Sequence, residues 1–247
     1  MITTVILTKN EDKNITDCIK SILWSDEILV IDDNSTDETV NIAKKLNCTV
    51  ITHPLKNNFS EQRNFALQEA KGDFVFFLDA DERVSDALCQ EIISSVSLNS
   101  QYEGFYLKRR DFMWGKELKF GETGNIKLLR LGRKGAGRWE GNVHERWVMQ
   151  GGTAEMSSSI QHFPHQTISE FLAEINFYTS IRAKELFKEG VRVSWLSILV
   201  YTKGKFLVNF VLKRGFLDGI PGLIMAMMMS LHSFLVRGKL WLMWHKK

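Results

Sequence analysis

Residues Phe74-Val75-Phe76-Phe77-Leu78-Asp79-Ala80-Asp81 constrain this chain more than any other stretch. Five consecutive large apolar residues are too short a run for a globular helix and suit a central parallel strand covered on both faces. Gly72-Asp73 before it marks a loop entering the sheet. In open α/β sheets ligands sit outside the carboxyl ends of the strands, so Asp79 and Asp81 arrive where such a fold does chemistry. Two carboxylates so close repel each other unless a cation sits beside them, and a divalent ion that also holds phosphate oxygens satisfies both. The plainer reading makes Asp79 a turn residue and Asp81 the start of a cap.

Around this strand the chain alternates strand and helix. Thr4 to Leu7 forms a first strand; the apolar spacing of Ile15, Cys18, Ile19, Ile22 and Leu23 predicts a helix; Ile28 to Ile31 forms a second strand. Ser35 and Glu38 read as a capping box opening a helix through Ala43 and Leu46. Thr49 to Thr52 is a third strand, and Ser60 reads as the cap of a helix over Phe65, Ala66 and Leu67. The acidic-tipped strand is then the fourth of a β-α-β-α-β-α-β series, which implies a mostly parallel, right-handed doubly wound sheet.

After Asp81 the pattern changes. A helix from about Ser85 precedes strand-like pieces at Gly104 to Lys108, Ile126 to Leu131, Arg146 to Met149 and Ser159 to Phe163, separated by glycine-rich turns. These predict a mixed-sheet extension whose loops cover a pocket above the parallel strands. A long helix then starts at Thr167, where Glu170 completes a second capping box. Three dispersed cysteines, Cys18, Cys48 and Cys89, argue against a disulfide framework or zinc site and for a reducing compartment. The start Met1-Ile2-Thr3-Thr4-Val5 lacks the basic and long apolar regions of a signal peptide.

Charge divides the chain. From residue 191 onward nine Lys and Arg face one acid, Asp218, whereas the preceding part is net acidic. Ile220 to Val236 is apolar, but falls short of the ~20 residues a spanning helix needs. With Trp241 and Trp244 beside Lys239, Lys246 and Lys247, the tail predicts amphipathic helices lying on an anionic membrane surface; the alternative is a helical cap on the protein's own core. Two regions follow: 1–165, divided into 1–83 and 84–165, and a helical 166–247.

Ile28-Leu29-Val30-Ile31-Asp32-Asp33-Asn34-Ser35-Thr36-Asp37, Gln62-Arg63-Asn64-Phe65-Ala66, Gly72-Asp73, Leu78-Asp79-Ala80-Asp81-Glu82-Arg83 and Val143-His144-Glu145-Arg146 together resemble family 2 glycosyltransferases of the GT-A fold. Within that family they are similar to the bacterial subgroup that transfers glucose to the inner-core heptose of lipopolysaccharide or lipooligosaccharide. Gly215-Phe216-Leu217-Asp218-Gly219 before an apolar helix resembles the same subgroup.

The resemblance implies a metal-dependent inverting transferase that uses a UDP-sugar, UDP-glucose by the habit of the subgroup, and Mg²⁺ or Mn²⁺. Asp32 is implied at the uracil or ribose, Asp79 at the ribose, donor sugar or metal, and Asp81 on the metal. Thr8, Asn10 and Glu11, ending the first strand, are implied near the nucleotide. Arg63 reaches the diphosphate or lies on a solvated helix face. Inversion needs a carboxylate to take the acceptor's proton; Glu145 fills that role by its place in the H-E signature, with Glu140 as runner-up. His144 orients Glu145 or touches phosphate, and His162 and His165 are either metal ligands or core and loop residues. The acid pair that supplies the base in many family members is missing from the expected region. The implied acceptor is a lipid A–core at the inner face of the bacterial inner membrane, with no nucleic-acid partner. Transfer to polyprenyl phosphate, and a non-catalytic membrane scaffold, are the alternatives.

Overall fold

The computed structural model describes residues 1–56, 58–96, 101–141, 145–164 and 166–245. His144, His165, Lys246 and Lys247 lie outside them. The chain divides into two compact units, one of residues 1–109 and 126–162, the other of 110–125 and 163–247.

In the first unit β1 (Ile2–Thr8), β2 (Glu27–Asp32), β3 (Thr49–Thr52) and β4 (Phe74–Asp79) are parallel in the order β3-β2-β1-β4. Beyond β4 the sheet turns antiparallel. It continues through β8 (Ile126–Arg133), β6 (Gly104–Met113), β11 (Thr153–His162) and the short β5 (Glu82–Arg83). Helices α1 (Ile15–Lys20), α2 (Thr39–Lys45), α3 (Phe59–Glu69) and α4 (Asp86–Ser95) fill the connections. Strands β9 (Gly137–Glu140) and β10 (Arg146–Met149) form a separate antiparallel pair. The expected doubly wound sheet with a mixed extension is present.

The apolar run of β4 is buried on both sides because successive side chains alternate. Phe74, Phe76 and Leu78 join a core with Ile6, Ile15, Ile19, Leu88 and Ile92, while Val75 and Phe77 join Val5, Leu29, Ala66, Trp139 and Trp147. Phe77 meets Trp139 and Trp147 edge-on at centroid separations of 5.1 and 5.2 Å. Gly72 is required at the entrance to β4: a Cβ there would lie 2.6 Å from the Thr3 backbone nitrogen.

Two caps differ from expectation. Ser35 does not open α2; its Oγ instead accepts the Asn10 N–H at 2.9 Å, and Asp37 takes the Thr39 N–H at 3.0 Å. Ser60 does not cap α3, since Asn58 Oδ1 accepts the Glu61 N–H at 3.1 Å and the Ser60 hydroxyl only supports that oxygen. Asp37 lies two residues nearer its helix than Ser35, and Asn58 two residues before Ser60, alternatives that local pattern does not discriminate. Ser85 and Thr167 cap as expected.

In the second unit, the distal end of β6 pairs with β7 (Lys116–Leu118). Three long helices follow: α5 (Ile168–Lys188), α6 (Trp195–Leu207), which continues as a π turn to Leu212, and α7 (Ile220–His245). Asp218, 3% exposed, accepts the Lys119 and Phe120 N–H groups at 3.1 and 2.9 Å. The expected shortfall in apolar length does not hold. Trp195–Leu212 has 18 residues at mean hydropathy 1.2 and α7 has 26 at 1.4, so length and composition alone allow either to cross a bilayer. The helix runs on past Val236 because Arg237 lies 3.7 Å over the Tyr201 ring and Lys239 is bonded to α5, which removes both cations from the apolar surface.

Candidate active site

The site lies in the first unit, at the carboxyl ends of β1, β2 and β4. Here Thr8 pairs in register with Asp32, and Leu7 with Asp79. Asp32, 2% exposed, accepts the Ser35 N–H through both oxygens, at 3.1 and 3.3 Å, and so shapes the loop after β2. Asn10 has φ 54° and its side-chain oxygen accepts the Thr36 N–H at 2.8 Å, tying the exit of β1 to that loop. The buried Thr8 hydroxyl has no hydrogen-bond partner among the described residues.

Asp79 is not left facing Asp81 unscreened. Arg130 of β8 meets both of its oxygens, and Arg63 of α3 reaches Oδ1 at 3.3 Å. Burial alone would raise this carboxyl, but the two guanidiniums, Arg130 foremost, hold it well below the usual carboxylate range. Glu82, fully buried, accepts the Asp79 N–H at 2.9 Å and lies 3.5 Å from Arg130. Burial, opposed by Arg130 and assisted by the Asp79 charge, pushes Glu82 upward. Balance at Asp79 therefore comes from arginines, where the sequence alone pointed to an ion.

Asp81 has a different partner: its Oδ2 lies 3.2 Å from His162 Nε2, on β11. A carboxylate oxygen and an imidazole nitrogen at that separation can share one divalent ion, and a set of only two protein ligands leaves positions for phosphate oxygens. Among the described residues no cluster of three or more His, Cys, Asp or Glu side chains could hold a metal, so nothing there resembles a closed structural centre. Glu11 stands within the field of Asp81. Burial raises its carboxyl to about 7, with the charges of Asp81 and Asp37 adding to the effect and a hydrogen bond from Asn14 opposing it.

Arg63 joins the two halves of the constellation. While Nη2 reaches Asp79, Nε donates to Glu145 Oε1 at 2.8 Å, and the guanidinium lies over Trp139 at 4.7 Å. It is 5% exposed, so the solvated-face reading does not hold. Glu140 is elsewhere: it is exposed at the end of β9, 3.7 Å from Arg138, on the rim of a cavity of about 550 Å³ lined also by His53, Asn64, Phe65 and Trp139. Arg130, absent from the sequence reading, carried one signal. A lone cation in the apolar strand Leu128-Leu129-Arg130-Leu131 has to find a buried anion.

The sequence model described as "Glycosyl transferase family 2" matches residues 3–134, over half of the chain. The protein belongs to glycosyltransferase family 2. It is 29% identical to an uncharacterised glycosyltransferase of Rickettsia typhi, over 97% of this chain and 86% of that one. It is 25% identical to the lipopolysaccharide core biosynthesis glycosyltransferase LpsC of Rhizobium meliloti, over 96% of this chain and 90% of the relative. Among solved structures, glucosyl-3-phosphoglycerate synthase from Mycobacterium tuberculosis, in complex with Mn²⁺, UDP and glucosyl-3-phosphoglycerate, aligns at 23% identity and TM-score 0.38. That match covers 47% of this chain and 44% of that one, so the chain spans under half of that structure's length. This family 2 glycosyltransferase is an enzyme, and the acidic tip of β4 lies inside the matched segment.

Proposed function

We propose that this glycosyltransferase moves a hexose, glucose in the first instance, from a UDP-sugar to the inner-core heptose of a lipid A–core acceptor, with inversion at the anomeric carbon. The observation that carries the reading is the bridge made by Arg63 between Asp79, at the donor end of β4, and Glu145. It supports one carboxylate for the donor and another, held at a fixed distance, for the acceptor. The relationship to LpsC supports a core-sugar acceptor.

In the reaction the nucleoside occupies the loops after β1 and β2, bordered by Thr8, Asn10 and Asp32. Asp81 and His162 would hold a magnesium or manganese ion, which would supply positive charge against the donor diphosphate. Asp79, kept anionic by Arg130 and Arg63, faces the ribose or donor sugar. Glu145 accepts the proton of the attacking hydroxyl as its oxygen bonds to the anomeric carbon, and the carbon–oxygen bond to UDP breaks with its electron pair leaving on the diphosphate. Arg63 fixes the orientation of Glu145 through the Nε bond, which saves the entropy of finding that geometry in each turnover. The exposed cationic tail supports work at the cytoplasmic face of an anionic inner membrane, as a peripheral protein.

The test supplies purified protein with labelled UDP-glucose and either a heptose-terminated lipid A–core or polyprenyl phosphate. Label is expected on the core acceptor, and Glu145→Gln lowers kcat by about a hundredfold or more while Glu140→Gln stays near wild type. Label appearing only on polyprenyl phosphate, or an unaffected Glu145→Gln, overturns the proposal.

A further inference from the structure

Helices α6 and α7 lie antiparallel as a hairpin. Ser230 Oγ donates to the Thr202 carbonyl at 2.8 Å, Arg237 covers Tyr201, and a Cβ on Gly222 would lie 2.0 Å from the Gly215 carbonyl oxygen. The turn between them concentrates exposed apolar side chains: Leu212 is 74% exposed, Phe216 48%, Leu217 50% and Ile220 74%. Lys213 and Arg214 are exposed within the same turn. The tail's single acid beyond residue 190, Asp218, is turned inward onto the backbone of Lys119 and Phe120; Glu122 lies 2.9 Å from Lys205 and 3.7 Å from Lys213, so the turn and its flank stay net cationic, with Arg214 in no ion pair among the described residues. Exposed apolar residues rimmed by Lys and Arg match a bilayer with anionic headgroups, where the hydrocarbon takes the former and phosphates the latter.

A spanning α7 does not fit. Its Lys239 ammonium donates to the Asn176 carbonyl and side-chain oxygen and to the Thr179 and Ser180 hydroxyls, all at 2.7–2.8 Å, so this end of α7 is fastened to α5. The partner helix carries Glu170, Glu174, Arg182, Lys184, Glu185 and Lys188 and would have to enter the hydrocarbon with it, where ionisable side chains are strongly disfavoured.

We propose that the turn from Leu212 to Leu223 is a wedge that inserts into one leaflet of an anionic bilayer, with Lys213 and Arg214 at the phosphates, and that neither α6 nor α7 crosses the membrane. This rests on the reading that the enzyme works at a membrane surface, and it adds which element enters and how.

The experiment floats the full-length protein with vesicles of phosphatidylethanolamine and phosphatidylglycerol, and separately with phosphatidylcholine alone. Wild type is expected to float with the anionic vesicles and to be released by salt. Leu212→Glu combined with Phe216→Glu and Leu217→Glu abolishes flotation, whereas Trp195→Glu with Leu199→Glu on the exposed side of α6 retains most of it. Lys213→Gln and Arg214→Gln each weaken binding about fivefold. Circular dichroism of each variant checks that the helices persist, and Lys213→Cys in the turn and Trp195→Cys at the far end of α6 are expected to react with an impermeant maleimide from the same side of sealed vesicles, whereas a spanning hairpin puts them on opposite sides. Retained flotation of the triple variant, loss only in the α6 variant, or labelling from opposite sides overturns the wedge. Wild type that turns over UDP-glucose but ignores anionic vesicles overturns both the wedge and the membrane reading; flotation without turnover removes the transferase reading and leaves the wedge standing.

Discussion

Arg130 and Asp79 form a two-pronged ion pair, Nη1 to Oδ1 at 3.2 Å and Nη2 to Oδ2, with Arg130 only 5% exposed. Removing one partner strands the other charge in a desolvated place, which is costlier than the pair is worth. Arg130→Met is expected to lower unfolding free energy by about 3 kcal/mol in urea titrations, and Arg130→Lys by less, since the ammonium cannot reproduce the fork. Equal stability of wild type and Arg130→Met would contradict the assignment.

The two acids at the tip of β4 should separate by phenotype. Asp79→Asn leaves Arg130 and Arg63 under-compensated and is expected to lower the melting temperature. Asp81→Asn removes the contact with His162 alone among the ion pairs of the described residues and is expected to leave melting nearly unchanged. Calorimetry of UDP binding reads the converse: manganese strengthens binding in wild type, and Asp81→Asn or His162→Gln loses that dependence.

Glu11 predicts a pH dependence of stability. Its folded pKa of about 7 lies above the ordinary 4.5, so the folded chain keeps a proton that the unfolded chain releases in that interval. The group's contribution is therefore full below the interval and is lost as pH rises through it. Melting curves of wild type and Glu11→Gln, taken from about pH 4 to about pH 8, should diverge in favour of the variant on the alkaline side. Parallel curves would show that Glu11 ionises normally.

Asp218 predicts a stability effect in the other unit. Asp218→Ala leaves the Lys119 and Phe120 N–H groups without their acceptor and is expected to cost about 2–3 kcal/mol by chemical denaturation. Asp218→Asn, which keeps one acceptor oxygen, should fall between the two.

Much of the sheet could be read from local pattern. Phe74 to Leu78 is buried on both faces as its composition requires, and the strand–helix alternation before it leaves little choice but parallel order. The caps at Ser35 and Ser60 misled because a serine hydroxyl serves a neighbouring loop or a neighbouring cap as readily as its own helix. Glu82 and Arg130, 48 residues apart, meet at Asp79 through an antiparallel pairing of β4 with β8 that no short-range signal specifies.

Sequence by itself determined that a strand would end in Asp79 and Asp81 at the ligand edge of a parallel sheet, because period, length and apolarity act over a few residues. Only tertiary structure decided what those acids face: Arg63 and Arg130 for the first, His162 for the second. Electrostatic partnership depends on through-space distance, and distance between remote residues is a property of the packed chain.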